Sequence, residues 1–129
     1  ASGVQVGSRF VATPEASSHI NFKQAVVNAK EGDTMVSLKK LAPVRLIKNN
    51  FYQAVREAED NGADVTALKT LLGRARAKAG MFEGNLEEGE LEIGQVSALI
   101  HDIKPAAQVL EEIWTEFKAT IRQLNSHDS

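Results

Sequence analysis

Cysteine is absent from the 129 residues, which removes disulfide scaffolds and thiolate chemistry in one step. That absence fits a reducing compartment. No apolar run approaches the ~20 residues that a membrane-spanning helix needs. No charged n-region followed by an apolar h-region marks a signal peptide. Charge of one sign is missing too: the net charge is -2, so no electrostatic case exists for nucleic acid or an anionic membrane. The short basic runs Lys39-Lys40 and Arg74-Ala75-Arg76-Ala77-Lys78 read as solvated helix faces. Histidine is sparse, and His19, His101 and His127 have no second His or Cys at ligand spacing, so no metal site is expected. The acidic run Glu83, Glu87, Glu88, Glu90 and Glu92 lacks the spacing of a calcium loop and reads as a solvated loop.

What is present is apolar patterning. A hydrophobic fraction of 43% in a chain of this length supports one domain with a core. The first stretch, Gly3-Val4-Gln5-Val6-Gly7-Ser8-Arg9-Phe10, alternates like a strand and ends at Gly-Ser. A strand is therefore expected over 3–10. The rest is mostly helical in pattern, so that strand has no partner, and a start so close to it suggests a fragment of something longer. The expected fold class is mainly α, with one N-terminal strand and short extended segments.

Thr13-Pro14 resembles a helix start and leads through a short turn to a helix over 19–30, closed by Gly32 and Asp33. Segments 34–41 and 44–47, separated by Pro43, are extended or form a short hairpin. Asn49 or Asn50 caps a helix to about Asp60, and Asp64 caps another that runs to a stop at Gly80. Residues 81–90 read as a loop with turns, followed by extended Leu91 and Ile93 and a helical segment over 94–102. Pro105 suits the first turn of the last helix. Its stripe of Ala106, Val109, Leu110, Ile113, Trp114, Phe117, Ile121 and Leu124 is expected to be core or a dimer face. The tail from Asn125 is expected to fray.

Two points carry candidate chemistry. At Gly7-Ser8 the backbone can approach an anion, two amides can donate, and the Ser8 hydroxyl adds a third donor. A tight turn is the plainer reading of the same pair. At Gly94-Gln95 a glycine at a helix start could place backbone beside a ligand, or mark only a chain reversal. His19 is read as a histidine at the start of a helix.

Three stretches in order resemble one family. Gly3 to Ala12 with His19 and Phe22-Lys23, then Pro43-Val44-Arg45 with Asn49, then Glu83 to Glu90 with Gly94-Gln95-Val96-Ser97-Ala98-Leu99-Ile100, are similar to nitronate monooxygenase (formerly 2-nitropropane dioxygenase) and flavin-dependent enoyl-acyl-carrier-protein reductase, enoyl reductase II. The resemblance implies the C-terminal part of a (β/α)8 TIM barrel plus a helical appendage. A whole barrel takes ~250 residues. Residues 1–31 would be the last barrel strand and its helix, and 32–129 an appendage folded over the barrel mouth.

The same resemblance implies FMN, with its phosphate at Gly7 and Ser8, where many relatives carry Thr for Ser8. Gly94 and Gln95 would lie on the substrate side. The family's catalytic histidine belongs to an earlier barrel segment, so none of the three histidines here is catalytic. The parent activity expected first is enoyl-acyl-carrier-protein reduction in fatty acid biosynthesis, with NAD(P)H as reductant. Nitronate oxidation by O2 comes second. Substrates would be small molecules or linked to acyl-carrier protein, the location cytoplasmic and the protein a homo-oligomer. Alone, this chain is expected to bind FMN poorly. Its other reading is a non-catalytic helical domain that self-associates.

Overall fold

The computed structural model describes residues 2–73 and 75–126. Its elements run α1 (Ser8–Val11), α2 (Ile20–Asn28), β1 (Thr34–Ser37), β2 (Val44–Ile47), α3 (Asn50–Asp60), α4 (Val65–Leu72), α5 (Arg76–Met81), a 3-10 turn (Gln95–Leu99) and α6 (Ala106–Ser126). The fold is mainly helical with a small two-stranded antiparallel sheet.

The strand expected over 3–10 does not form. Residues 2–7 carry no regular structure, and Val4 and Val6 are exposed. A strand exists by virtue of a ladder partner, and none of the described residues runs beside this stretch. From Ser8 the backbone instead closes one helical turn, in which the Gly7 carbonyl accepts the Phe10 and Val11 amides at 3.0 and 3.3 Å. Thr13-Pro14 begins no helix either. The Thr13 hydroxyl donates to the Phe10 carbonyl at 2.7 Å, and α2 starts only after His19.

The segments left open around Pro43 form a hairpin, with Thr34 opposite Ile47 and Ser37 opposite Val44. Leu38, buried at φ 56, starts the loop between them. Residues 91–93 add a third rung to β2. Ile47 N–H donates to the Leu91 carbonyl at 2.9 Å, and Ile93 N–H to the Arg45 carbonyl at 3.1 Å. Adjacent strand residues face opposite ways, and this divides the core in two. Ile47 joins Ala12, Phe22, Val26, Leu91, Ile93 and Ile100. Leu46 joins Leu38, Phe51, Val55 and Leu68. Each large apolar side chain buried in this way contributes about 1.5–3 kcal/mol. The sheet thereby holds the first helices and the segment after Ile93 to a common body.

The caps at Asn49 and Asp64 follow sequence logic. Asn49 Oδ1 accepts from Tyr52 N–H at 2.9 Å, and Asp64 Oδ1 from Ala67 N–H at 2.8 Å. The helix expected to run from Asp64 to Gly80 is broken instead. Gly73 at φ 61 and Ala75 at φ 66 turn the chain between α4 and α5. Gly80 is not the stop. It is buried inside α5, where a Cβ would lie 2.5 Å from Leu91 Cδ2 and 3.2 Å from the Glu90 carbonyl. The residue is glycine because two backbones nearly touch. Helix α6 holds through Ser126, and His127 to Ser129 lie outside the described residues.

Candidate functional site

The two candidate pairs, 86 residues apart in sequence, meet. Ser8 Oγ accepts the Gly94 N–H at 3.0 Å. A Cβ on Gly94 would sit 2.7 Å from that oxygen, so any other residue there would force the Ser8 hydroxyl to move. The serine hydroxyl keeps its own proton for a further acceptor. Around Gly7 the space is open, with nothing within 4 Å of where a Cβ would stand. The first amides of a helical turn have no intrahelical acceptor. The Ser8 hydroxyl and the first amides of the α1 turn thus stand next to Gly7, beside which there is open space, and Gly94 is bonded to the same serine.

Arg9 fixes this junction. Its guanidinium donates to the Asp102 carboxylate at 2.7 Å and to the Asp102 carbonyl at 2.9 Å. Lys104 continues the array, 3.2 Å from Asp102 and 2.8 Å from Glu112. Hydrogen bonding to Glu112 and then to Asp102 raises the Lys104 pKa, and the Lys104 hydrogen bond lowers that of Glu112. Glu15 accepts the Ala106 N–H at 3.0 Å at the start of α6. The α1 turn, the segment 102–104 and α6 are thus tied by charge-assisted bonds, which are roughly twice as strong as neutral ones.

Gln95 is exposed and lines an open groove of about 620 Å³ with Lys30, Thr34, Arg45 and Leu99. Arg45 Nη1 donates to Thr34 Oγ1 at 3.2 Å. His19 stands at the start of α2, as its sequence context suggests, and its Nδ1 accepts the Asn21 N–H at 3.0 Å. Its ring packs over Gly84, and Asn21 Nδ2 donates to the Gly84 carbonyl at 3.1 Å. His101 is exposed near Asp102, and His127 lies outside the described residues. Among the described residues no group of three His, Asp or Glu is arranged to hold a metal ion.

Sequence reasoning missed two residues that build the site's frame. Asn49 was legible as a cap, but its amide also donates to the Leu86 and Gly89 carbonyls at 2.9 and 2.7 Å. It orders the acidic loop that leads to Gly94. Glu90 was assigned to a solvated run, yet it is only 7% exposed. Burial first, then hydrogen bonding and repulsion from Glu92, push its pKa from 4.5 to about 7. The signal available in sequence was its position beside the apolar run Leu91 and Ile93.

Comparison with known proteins gives this arrangement a family. Residues 1–116 match the nitronate monooxygenase family model, and the chain belongs to that family. Members of this family are generally flavin enzymes using FMN. The chain is similar to a probable nitronate monooxygenase of Staphylococcus saprophyticus, 27% identical over 126 residues, which are 97% of this chain and 33% of that protein. Among solved structures it is similar to FabK from Thermotoga maritima, with 34% identity and a TM-score of 0.87 over 97% of this chain and 40% of that one. The M276A mutant of the same FabK aligns at 31% identity and a TM-score of 0.82 over 98% of this chain and 38% of that one. The chain thus spans about a third of the length of the curated relative and about two fifths of the solved ones. No helix among the described residues is long and apolar enough to cross a membrane.

Proposed function

We propose that this chain is the C-terminal part of an FMN-dependent oxidoreductase that reduces enoyl-acyl-carrier-protein thioesters with NAD(P)H. Residues 1–31 would supply the last barrel strand and its helix, and residues 32–129 the appendage over the barrel mouth. The partnerless, exposed segment 2–7 supports this reading, since a strand there requires neighbours from a barrel. The observation that carries the site is the bond from Gly94 N–H to Ser8 Oγ. It joins the segment of the proposed phosphate site to the segment of the proposed substrate side.

The donor set fits an FMN phosphate. Gly7 and Ser8 would hold it through backbone amides and the Ser8 hydroxyl, and Gly94 would fix the rotamer of that serine. When bound, the isoalloxazine supplies the redox chemistry, accepting and passing on hydride. This chain's part is to bind and orient: Arg9 and Asp102 keep the junction in place, and Gly94 with Gln95 borders the substrate side. No residue of this chain is assigned a catalytic role.

The likeness to FabK at 34% identity favours enoyl reduction. The family model and the curated relative favour a second reading, oxidation of alkyl nitronates by O2. The complete protein, reconstituted with FMN, separates the two. Crotonyl-thioester-dependent NAD(P)H oxidation supports the first, and nitronate-dependent O2 uptake the second. Bound FMN with neither turnover rejects both.

A further inference from the structure

The apolar stripe of α6 lies largely outside the core, with Trp114 56% and Leu124 62% exposed. The groove beside Gln95 is a different kind of surface, because its charge is unbalanced. Lys30, just past the end of α2, and Arg45 of β2 line it, and Glu31 is the one carboxylate on the lining. Asp33, close by in sequence, directs its carboxylate to the Lys30 backbone amide at 2.8 Å. Among the described residues neither cation has a carboxylate partner, although Arg9, Arg56 and Arg76 all do. Arg45 is half-buried, and its one partner among the described residues is Thr34, whose hydroxyl and carbonyl accept from Nη1 at 3.2 and 3.5 Å. These bonds hold the guanidinium in place and leave its Nε and Nη2 donors without a described acceptor. The other wall is apolar, formed by Val96 and Leu99 at 49% and 75% exposure.

We propose that this groove binds a phosphate ester carried by a substrate, with Arg45 and Lys30 on the phosphate and the less polar remainder of the ligand against Val96 and Leu99. A planar guanidinium with donors to spare matches two phosphate oxygens at once, and the exposed Lys30 adds a point charge on a long stem. A volume of about 620 Å³ holds more than a phosphate and leaves room for the chain that carries it. The 3-10 turn that bears Val96 and Leu99 starts after Gly94, whose amide is bonded to Ser8, so one short turn connects the groove to the proposed flavin phosphate site. The inference rests on the proposed reading in which Gly94 and Gln95 border the substrate side. Two reactants of that reading offer the same chemistry: the phosphopantetheine arm of a thioester and the ribose phosphate of NADPH.

Isothermal titration calorimetry on the complete, FMN-bound protein tests it with two pairs of probes, the members of each differing by one phosphate. They are crotonyl-4′-phosphopantetheine against crotonyl-pantetheine, and NADPH against NADH. The wild type is expected to prefer the phosphorylated member of at least one pair about 10- to 100-fold. Arg45→Met is expected to erase that preference and leave the affinity for the unphosphorylated member unchanged, a pattern that general loss of structure does not produce. Arg45→Lys is expected to retain part of it. Lys30 is exposed, so Lys30→Met tests the site without disturbing the Thr34 bonds, and it is expected to weaken the phosphorylated member up to about fivefold. A preference confined to the pantetheine pair assigns the groove to the thioester arm, and one confined to the nucleotide pair assigns it to the reductant. No preference in either pair, or a preference that survives either substitution by Met unchanged, overturns the inference. Turnover is scored separately. An Arg45-dependent phosphate preference without enoyl reduction keeps the groove and rejects the enoyl reductase reading, whereas enoyl reduction without that preference keeps the reading and overturns the groove.

Discussion

Replacing Glu90 with glutamine removes one titration from the folded protein and leaves the shape of the site almost unchanged. The carboxyl is buried, and its pKa is raised from 4.5 to about 7 by burial, then by the Glu92 hydrogen bond and charge. Below pH 4.5 the group is protonated in both folded and unfolded chains and contributes no pH dependence. Between 4.5 and about 7 the unfolded chain has released the proton while the folded one still holds it. Rising pH therefore favours unfolding across that window. At 1.36 kcal/mol per pH unit, stability should fall by about 3 kcal/mol and then level off above pH 7. Against a total stability of ~5–15 kcal/mol this is a large share.

Urea unfolding of the wild type and of Glu90→Gln, from pH 4.5 to 8, reads the effect. Titrations of groups that do not interact with Glu90 cancel in the difference between the two curves. The difference should open across the window and close to a constant outside it, with the variant the more stable near pH 8. A wild-type and variant pair with parallel profiles would refute the assignment of Glu90 as a buried, protonated carboxyl.

The remaining predictions concern the frame around the site. Gly89→Ala should destabilise more than Gly80→Ala. The Gly89 Cβ would run into the Gly80 backbone, whereas the closest atom to a Gly80 Cβ is the tip of Leu91. We expect about 1–3 kcal/mol for Gly80→Ala by thermal or urea unfolding, and more for Gly89→Ala. Asn49→Ala removes a cap and two donors to the Leu86 and Gly89 carbonyls, and should cost about 2–4 kcal/mol. Asn49→Asp keeps the cap alone and should recover only part of that loss.

Local rules made parts of this fold legible. Asn49, Asp64 and Asn61-Gly62 act within a few residues of where they stand, and α3 and the start of α4 fall where the sequence places them. Properties set by distant neighbours were not legible. The stretch 3–10 has strand composition, but a strand needs partners that composition cannot supply. Gly80 looks like a helix stop, yet its role comes from Gly89 and Leu91 crossing it. The apolar spacing runs unbroken through Gly73, so the turn between α4 and α5 left no periodic trace. The stripe of α6 shows its amphipathic face, while the side on which the body lies depends on Val109. At the site, Gly7-Ser8 and Gly94-Gln95 were each visible as places where backbone could come close to a ligand. Their contact spans 86 residues, and no local pattern encodes it.

The central claim, a flavin phosphate held at Gly7-Ser8, is tested most directly by comparing FMN with riboflavin, which lacks the phosphate. Flavin fluorescence titrations on the complete protein, wild type and Ser8→Ala, give all four dissociation constants. The account predicts that FMN binds far more tightly than riboflavin. Loss of the Ser8 hydroxyl should weaken FMN about 10- to 100-fold, as for one hydrogen bond to a charged group, and leave riboflavin nearly unchanged. Equal effects of Ser8→Ala on both flavins, or no preference of the wild type for FMN, would contradict it.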